Sequence, residues 1–253
     1  DALGSPPPSR GFDAARGQKV IDYARALLDE AAPLQGRSWR DAHGFRIEQD
    51  RLLVALGNWT DAEATHAQNF AGYAGPEEEP TSILLENHGL HLEVRLDRNH
   101  PIGRTDPAGI ADVVVESAIT TIMDLEDSIA AVDAEDKVLA YRNWVRLMRG
   151  DLTESFEKGG RTVERALNAD RSFRHPNGGE LTLPGRSLML ARNVGHLMTI
   201  DAVLDRDGNA IPEGILDGMV TAAIALHDVG PNGRRMNSRA GSVYIVNPKM
   251  HGP

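Results

Sequence analysis

Residues 119–137, ITTIMDLEDSIAAVDAEDK, join an apolar, β-branched run to a block of acids and then to a helix signal. The run Ile119 to Met123 has the length and composition of a buried strand. It stops at Asp124, Glu126 and Asp127, followed by Ser128. A second acidic turn, Asp133, Glu135 and Asp136, then opens the next segment, with Asp133 as its N-cap. A strand apolar on both faces and followed by a helix suits a parallel sheet covered by crossover helices. Carboxylates crowded at the end of such a strand repel one another and are costly to desolvate, so they persist where a cation or ligand compensates them.

The same grammar recurs downstream. Ser187 to Ala191 (SLMLA) reads as a strand ending at Arg192 and Asn193, and Ser242 to Val246 as a strand followed by Lys249 and His251. Helices are expected at Ala134 to Arg149 and Ile215 to Leu226. Three strands that each end in functional side chains and alternate with helices predict an α/β fold, either a parallel sheet or a (β/α) barrel, and in a barrel the site lies at the strands' carboxyl ends. Residues 151–186 are polar, with turn signals at Gly159-Gly160 and Asn177-Gly178-Gly179, and read as an excursion from that barrel.

Upstream, Val20, Ile21, Ala24, Leu27 and Leu28 fall at helical spacing within Asp13 to Ala32, ended by Pro33. Phe45 to Leu56 predicts a hairpin turning at Gln49-Asp50. Residues 62–70 have weak helical character, and Glu77 to Glu79 read as a solvated loop. Ser82 to Asn87 and His91 to Asp97 predict strands joined through His88-Gly89, the second with Leu92, Val94 and Leu96 on one face. Asp106 and Pro107 supply an N-cap and a first-turn proline, which predicts a short helix over Ala108 to Ser117.

Composition narrows the function. A net charge of −10 leaves no basic face for nucleic acid. No apolar run has the length of a membrane span, and no signal-peptide pattern opens the chain. Cysteine is absent, which excludes disulfides and thiolate metal sites, and the expected location is cytoplasmic. The opening DALGSPPPSRG and the stop at Pro253 after a strand-like run read as cuts from something longer.

The strand-end residues divide the chemistry. Asp124 and Glu126 suit a divalent cation or its waters, because hard cations take oxygen ligands. Arg192 suits a developing oxyanion, being permanently charged with forked donors, and equally an ion pair with a neighbouring carboxylate. Together they point to enolate or aldehyde chemistry on small acids. Lys158, Arg161 and Arg165 read either as solvated surface or as a site for a phosphate-bearing ligand. His88, His91, His196 and His227 show no metal-ligand spacing; His196 reads as a neighbour of Arg192 or as a core histidine. GxGxxG, P-loop and GxSxG motifs are absent.

IMDLEDSIAAVDAEDK, GRSLMLARNVGHLMT, EGILDGMVTAAIALHD and NSRAGSVYIVNPKMHGP closely resemble the malate synthases of the G isoform. LENHGLHLEVRLDRNHPIGRTDPAGIADVVVESA and ERALNADRSF match the same family, collinearly from about Gly17 to Pro253. The resemblance implies an inserted α/β domain over 1–118 and 150–186, and barrel segments over 119–149 and 187–253. It implies condensation of acetyl-CoA with glyoxylate to malate and CoA, by a monomeric parent that uses Mg2+. Arg192 would contact glyoxylate and stabilise the acetyl-CoA enolate; Ser128 and Arg165 would contact acetyl-CoA. Asp124 and Glu126 would stand near the magnesium as second-layer acids, with its direct ligands and the catalytic base outside this chain. The isolated chain is therefore expected to be inactive and poorly stable. The rival expectations are another CoA-dependent carbon–carbon lyase or synthase on a related barrel, and a non-catalytic scaffold or binding fragment.

Overall fold

The computed structural model describes residues 13–57, 61–63, 69–116 and 120–248. Along the chain, helix α1 (Ala14–Ala31) precedes strands β1 (Ala42–Glu48), β2 (Arg51–Leu56), β3 (Asp61–Glu63), β4 (Phe70–Ala74), β5 (Ser82–Asn87), β6 (Leu90–Leu96) and β7 (Ile110–Val115). Next come β8 (Thr120–Asp124), α2 (Ala134–Arg149), β9 (Thr153–Lys158), β10 (Arg161–Ala166), β11 (Arg171–Arg174) and β12 (Glu180–Leu183). The chain continues through β13 (Leu188–Arg192), β14 (Thr199–Leu204), β15 (Ala210–Pro212), α3 (Glu213–Val229) and β16 (Ile245–Val246). These elements fall into two units, Asp1–Ser117 with Arg171–Leu183, and Ala118–Asp170 with Pro184–Pro253.

The first unit is built on an antiparallel six-stranded sheet, ordered β12-β11-β4-β5-β6-β7. Asp13 caps α1 by accepting from the Arg16 N–H at 3.0 Å. Leu28, Ala31 and Ala32 at its end share one core with Trp39, the β1–β2 hairpin, and Ile83, Leu85, Leu92 and Val94 of the sheet. Leu84, on the opposite face of β5, packs with Ala71, Phe173 and Leu183. β5 is therefore buried on both faces, as its uninterrupted apolar run requires. Both predicted hairpin turns form. Gln49 and Asp50 have φ of 50° and 61°, His88 and Gly89 of 52° and 77°, matching the twist of tight hairpins.

Two expectations in this unit fail. The weak helical signal over 62–70 gives way to strands at 61–63 and 70–74, with 64–68 outside the described residues. The helix expected over Ala108 to Ser117 is strand β7, paired with β6. Asp106 does cap backbone N–H groups, those of Ala108 (2.9 Å) and Ile110 (3.0 Å), but it caps a turn into the sheet. Its other oxygen forms a buried ion pair with Arg25 of α1. The β-branched residues Ile110, Val113, Val114 and Val115 decide the conformation beyond the turn.

In the second unit β8, β13 and β16 form a parallel sheet, ordered β16-β13-β8, connected through α2 and α3. This is the strand–helix alternation of part of a (β/α)8 barrel. Asp133 caps α2 at the predicted position, and Gly150 ends it in the left-handed conformation at φ 80°. Met123, Met189 and Ala191 meet Trp144 and Met148 of α2 and Ala225 of α3 on one face of the sheet. The other face carries Ile122, which is 48% exposed, so this sheet is not covered on both sides by described residues. The expected strand from Ser242 is confined to Ile245–Val246, and the polar excursion contains an unpredicted hairpin, β9–β10. A second unpredicted hairpin, β14–β15, precedes α3.

Candidate active site at the barrel strand ends

The register of β8 against β13 puts Asp124 directly beside Arg192. Both side chains follow Ile122 and Leu190 on the face away from the helices, by the two-residue alternation of strands. Asp124 grips the guanidinium in a fork: Nε donates to Oδ1 at 2.8 Å and Nη2 to Oδ2 at 2.7 Å. Asp127 accepts a further bond from Nη2 at 2.6 Å. Among the described residues Nη1 receives no such partner, and the Arg192 side chain is 27% exposed. The guanidinium is thus locked along one edge and open along the other.

The acidic turn is organised around the same carboxylate. Asp124 accepts from the N–H groups of Glu126 (3.0 Å) and Asp127 (3.3 Å) and from the Ser128 hydroxyl (3.2 Å). The Arg192 bonds, opposed by burial and aided by these donors, hold the Asp124 carboxyl down to about 2. Arg192 is in turn raised above its ordinary value, chiefly by the Asp124 bond. Glu126 accepts from the Gly195 N–H at 2.5 Å, which ties the acidic turn to the segment following β13.

Arg165 lies on β10, with its guanidinium 4.7 Å from the centroid of the Phe156 ring on the paired strand. With Asn143, Thr153, Glu154 and Leu167 it lines an open groove of about 380 Å3. It bonds to no member of the Asp124–Arg192 cluster. His196 is exposed and has no bond to Arg192, whereas His91 pairs with Glu116 at 2.9 Å in the other unit. Lys249 and His251 lie outside the described residues. Among the described residues no group of three or more His, Asp or Glu could hold a metal ion. Asp124, with both oxygens committed to Arg192, does not fit a magnesium ligand.

Sequence reasoning missed a second charged cluster behind the site. Lys137 of α2, only 1% exposed, pairs with Glu213 (2.5 Å) and Asp217 (3.1 Å) of α3. The Tyr141 hydroxyl donates to Asp217 at 2.6 Å; burial and that carboxylate push its ionisation far above the ordinary range. A signal was present: Asp217 interrupts the apolar run EGILDGMVTAAIALHD one helical turn after Glu213.

Residues 12–87 match the family model described as the malate synthase G alpha-beta insertion domain, and residues 188–253 the malate synthase TIM barrel domain. The chain is 51% identical over 241 residues to malate synthase G of Halalkalibacterium halodurans, covering 95% of this chain and 33% of that protein. It is 50% identical over 246 residues to malate synthase G of Corynebacterium efficiens, covering 96% of this chain and 32% of that protein. The Corynebacterium glutamicum protein of the same name is 47% identical over 242 residues. The chain therefore spans about a third of the length of these relatives.

Proposed function

We propose, because the chain belongs to the malate synthase G family, that it supplies the enolate-stabilising wall of an enzyme condensing acetyl-CoA with glyoxylate to give malate and CoA. The observation that carries this is the forked Asp124–Arg192 pair at the carboxyl ends of adjacent parallel strands. A guanidinium oriented beforehand along Nε and Nη2 can present Nη1 to an oxygen on which negative charge develops, with no reorganisation at the moment of reaction. In this reading Nη1 donates to the enolate oxygen of acetyl-CoA and to the glyoxylate that it attacks. Ser128 and the Arg165 groove serve acetyl-CoA. Glu126 fixes the backbone that carries Arg192, through the Gly195 N–H. The described residues do not by themselves fit a magnesium ion.

We read residues 1–118 and 150–186 as inserted domain and 119–149 and 187–253 as barrel. The return of 171–183 to the first unit's sheet supports this, while the β9–β10 hairpin groups with the second unit. The proposed setting is a monomer in the cytoplasm, in keeping with a chain free of cysteine.

The test is Arg192→Lys in a polypeptide of the relatives' full length carrying this sequence. An ammonium cannot reproduce the fork, so kcat should fall roughly 100-fold or more. Unchanged turnover overturns the assignment.

A further inference from the structure

We propose that Asp217, in the second turn of α3, is a positioning residue that sets where Arg192 points; this rests on the role of Arg192 proposed above. The Lys137 cluster contains one carboxylate more than its single ammonium needs. Glu213 alone neutralises Lys137, and a second buried acid between two helices costs desolvation energy that better apolar packing would avoid. Asp217 uses the surplus outside the cluster. One of its oxygens accepts from Lys137 and Tyr141, while the other accepts from the backbone N–H of Val194 at 3.0 Å, in a fully buried bond.

Val194 stands two residues beyond Arg192, where the chain leaves β13. Just before it the backbone is held on both sides: Leu125 N–H donates to the Arg192 carbonyl at 2.9 Å, and Asn193 N–H to that of Val246 at 2.9 Å. These sheet bonds fix the strand but not the turn after it. α3 fixes the turn. Besides the Asp217 bond, Gly214 lies so close that a Cβ there would stand 2.7 Å from the Val194 carbonyl oxygen. The Asn193 amide donates to the Gly214 carbonyl at 3.3 Å. Residues 193 and 194 are therefore seated on the first two turns of α3 through a carboxylate, a carbonyl and a missing side chain. Asp217 closes a continuous path of bonds from Lys137 and Tyr141 of α2 to the backbone beside Arg192.

The experiment compares Asp217→Asn and Gly214→Ala with Arg192→Lys, in the full-family-length polypeptide carrying this sequence. Asparagine keeps shape and one acceptor but turns an amide toward the Val194 N–H; alanine pushes the Val194 carbonyl from the other side. Displacements of this size near a reacting group cost on the order of 10- to 100-fold in rate. For both variants we expect kcat per folded active site to fall by about that factor, with a raised KM for glyoxylate and an unaltered KM for acetyl-CoA. A merely structural role would reduce the amount of folded enzyme and leave both KM values alone, and that result overturns the proposal. So does an equal rise in both KM values. Should Asp217→Asn fail to fold, Gly214→Ala decides by the same criteria. Arg192→Lys separates the two readings: if it is silent, the function assigned to the site fails, whereas if it is severe and the α3 variants are silent, only the positioning role fails.

Discussion

At the scale of single residues, the acidic strand end owes its persistence to a guanidinium. Four acids lie between Asp124 and Asp133, and the carboxylate nearest the strand is compensated by Arg192, 68 positions further along. Both residues were legible in the sequence as functional strand ends. An ion pair of Arg192 with a neighbouring carboxylate was one of its two readings, but its partner was not legible, because that depends on the register of two parallel strands, and nothing in one sequence states which residue of β13 lies opposite Asp124. The pairing makes a pH prediction. The folded carboxyl sits at about 2, below its ordinary 3.8, so its contribution is fully present above that ordinary value and is lost as pH falls through about 2. Discounted for partial solvation, it is on the order of 1 kcal/mol. Urea unfolding of this chain and its Asp124→Asn variant should show that difference at about pH 6, shrunk to a small fraction of it near pH 2. A gap that persists undiminished at the acid end contradicts the pairing.

At the scale of elements, the failures share one cause. Local signals were real, but what followed them was decided by packing. Asp106-Pro107 is a genuine cap, yet Ile110 to Val115 enters a sheet, since β-branched residues gain more there than a helix offers. α3 inverts the usual amphipathic reading. Its buried stripe is Glu213, Asp217, Thr221, Ala225 and Asp228, while Ile215, Met219 and Leu226 are 59%, 70% and 59% exposed. Asp228 earns its burial by accepting backbone N–H bonds from Met236, Asn237 and Ser238. The loop so formed places Asn237 to bond both backbone groups of Met189 on β13. Mutation should expose the inversion. Asp217→Ala strands Tyr141 and the Val194 N–H and should cost about 3 kcal/mol or more. Met219→Lys, an apolar loss by sequence logic, should stay within about 0.5 kcal/mol in this chain. Chemical denaturation of the two variants checks both values, and the reverse ranking contradicts the assigned faces.

At the scale of the whole molecule, the alternation of strand and helix after residue 119 was enough to read a barrel segment, because each βα unit is local in sequence. The other unit was only half legible. Its first seven strands follow one another, but its sheet is finished by β11 and β12, which arrive after α2 and the β9–β10 hairpin have intervened. Their short, polar runs look like loop until Arg174 is seen opposite Tyr73, and Phe173 beside Ala71 and Leu84. Charge reinforces the closure, since Glu93 of β6 pairs with Arg171 of β11 and accepts from the Ser82 hydroxyl at 3.0 Å. If β11 and β12 complete this sheet, a lesion in them must be felt in strands about a hundred residues earlier. Phe173→Ala removes the largest side chain of a four-residue buried cluster and should cost about 3 kcal/mol. Hydrogen exchange should then report lost protection at residues 70–74 and 82–87, because Leu84 and Ala71 lose the packing on that face. Protection that falls only within 171–183 would mean that the two strands merely lean on a sheet already stable without them.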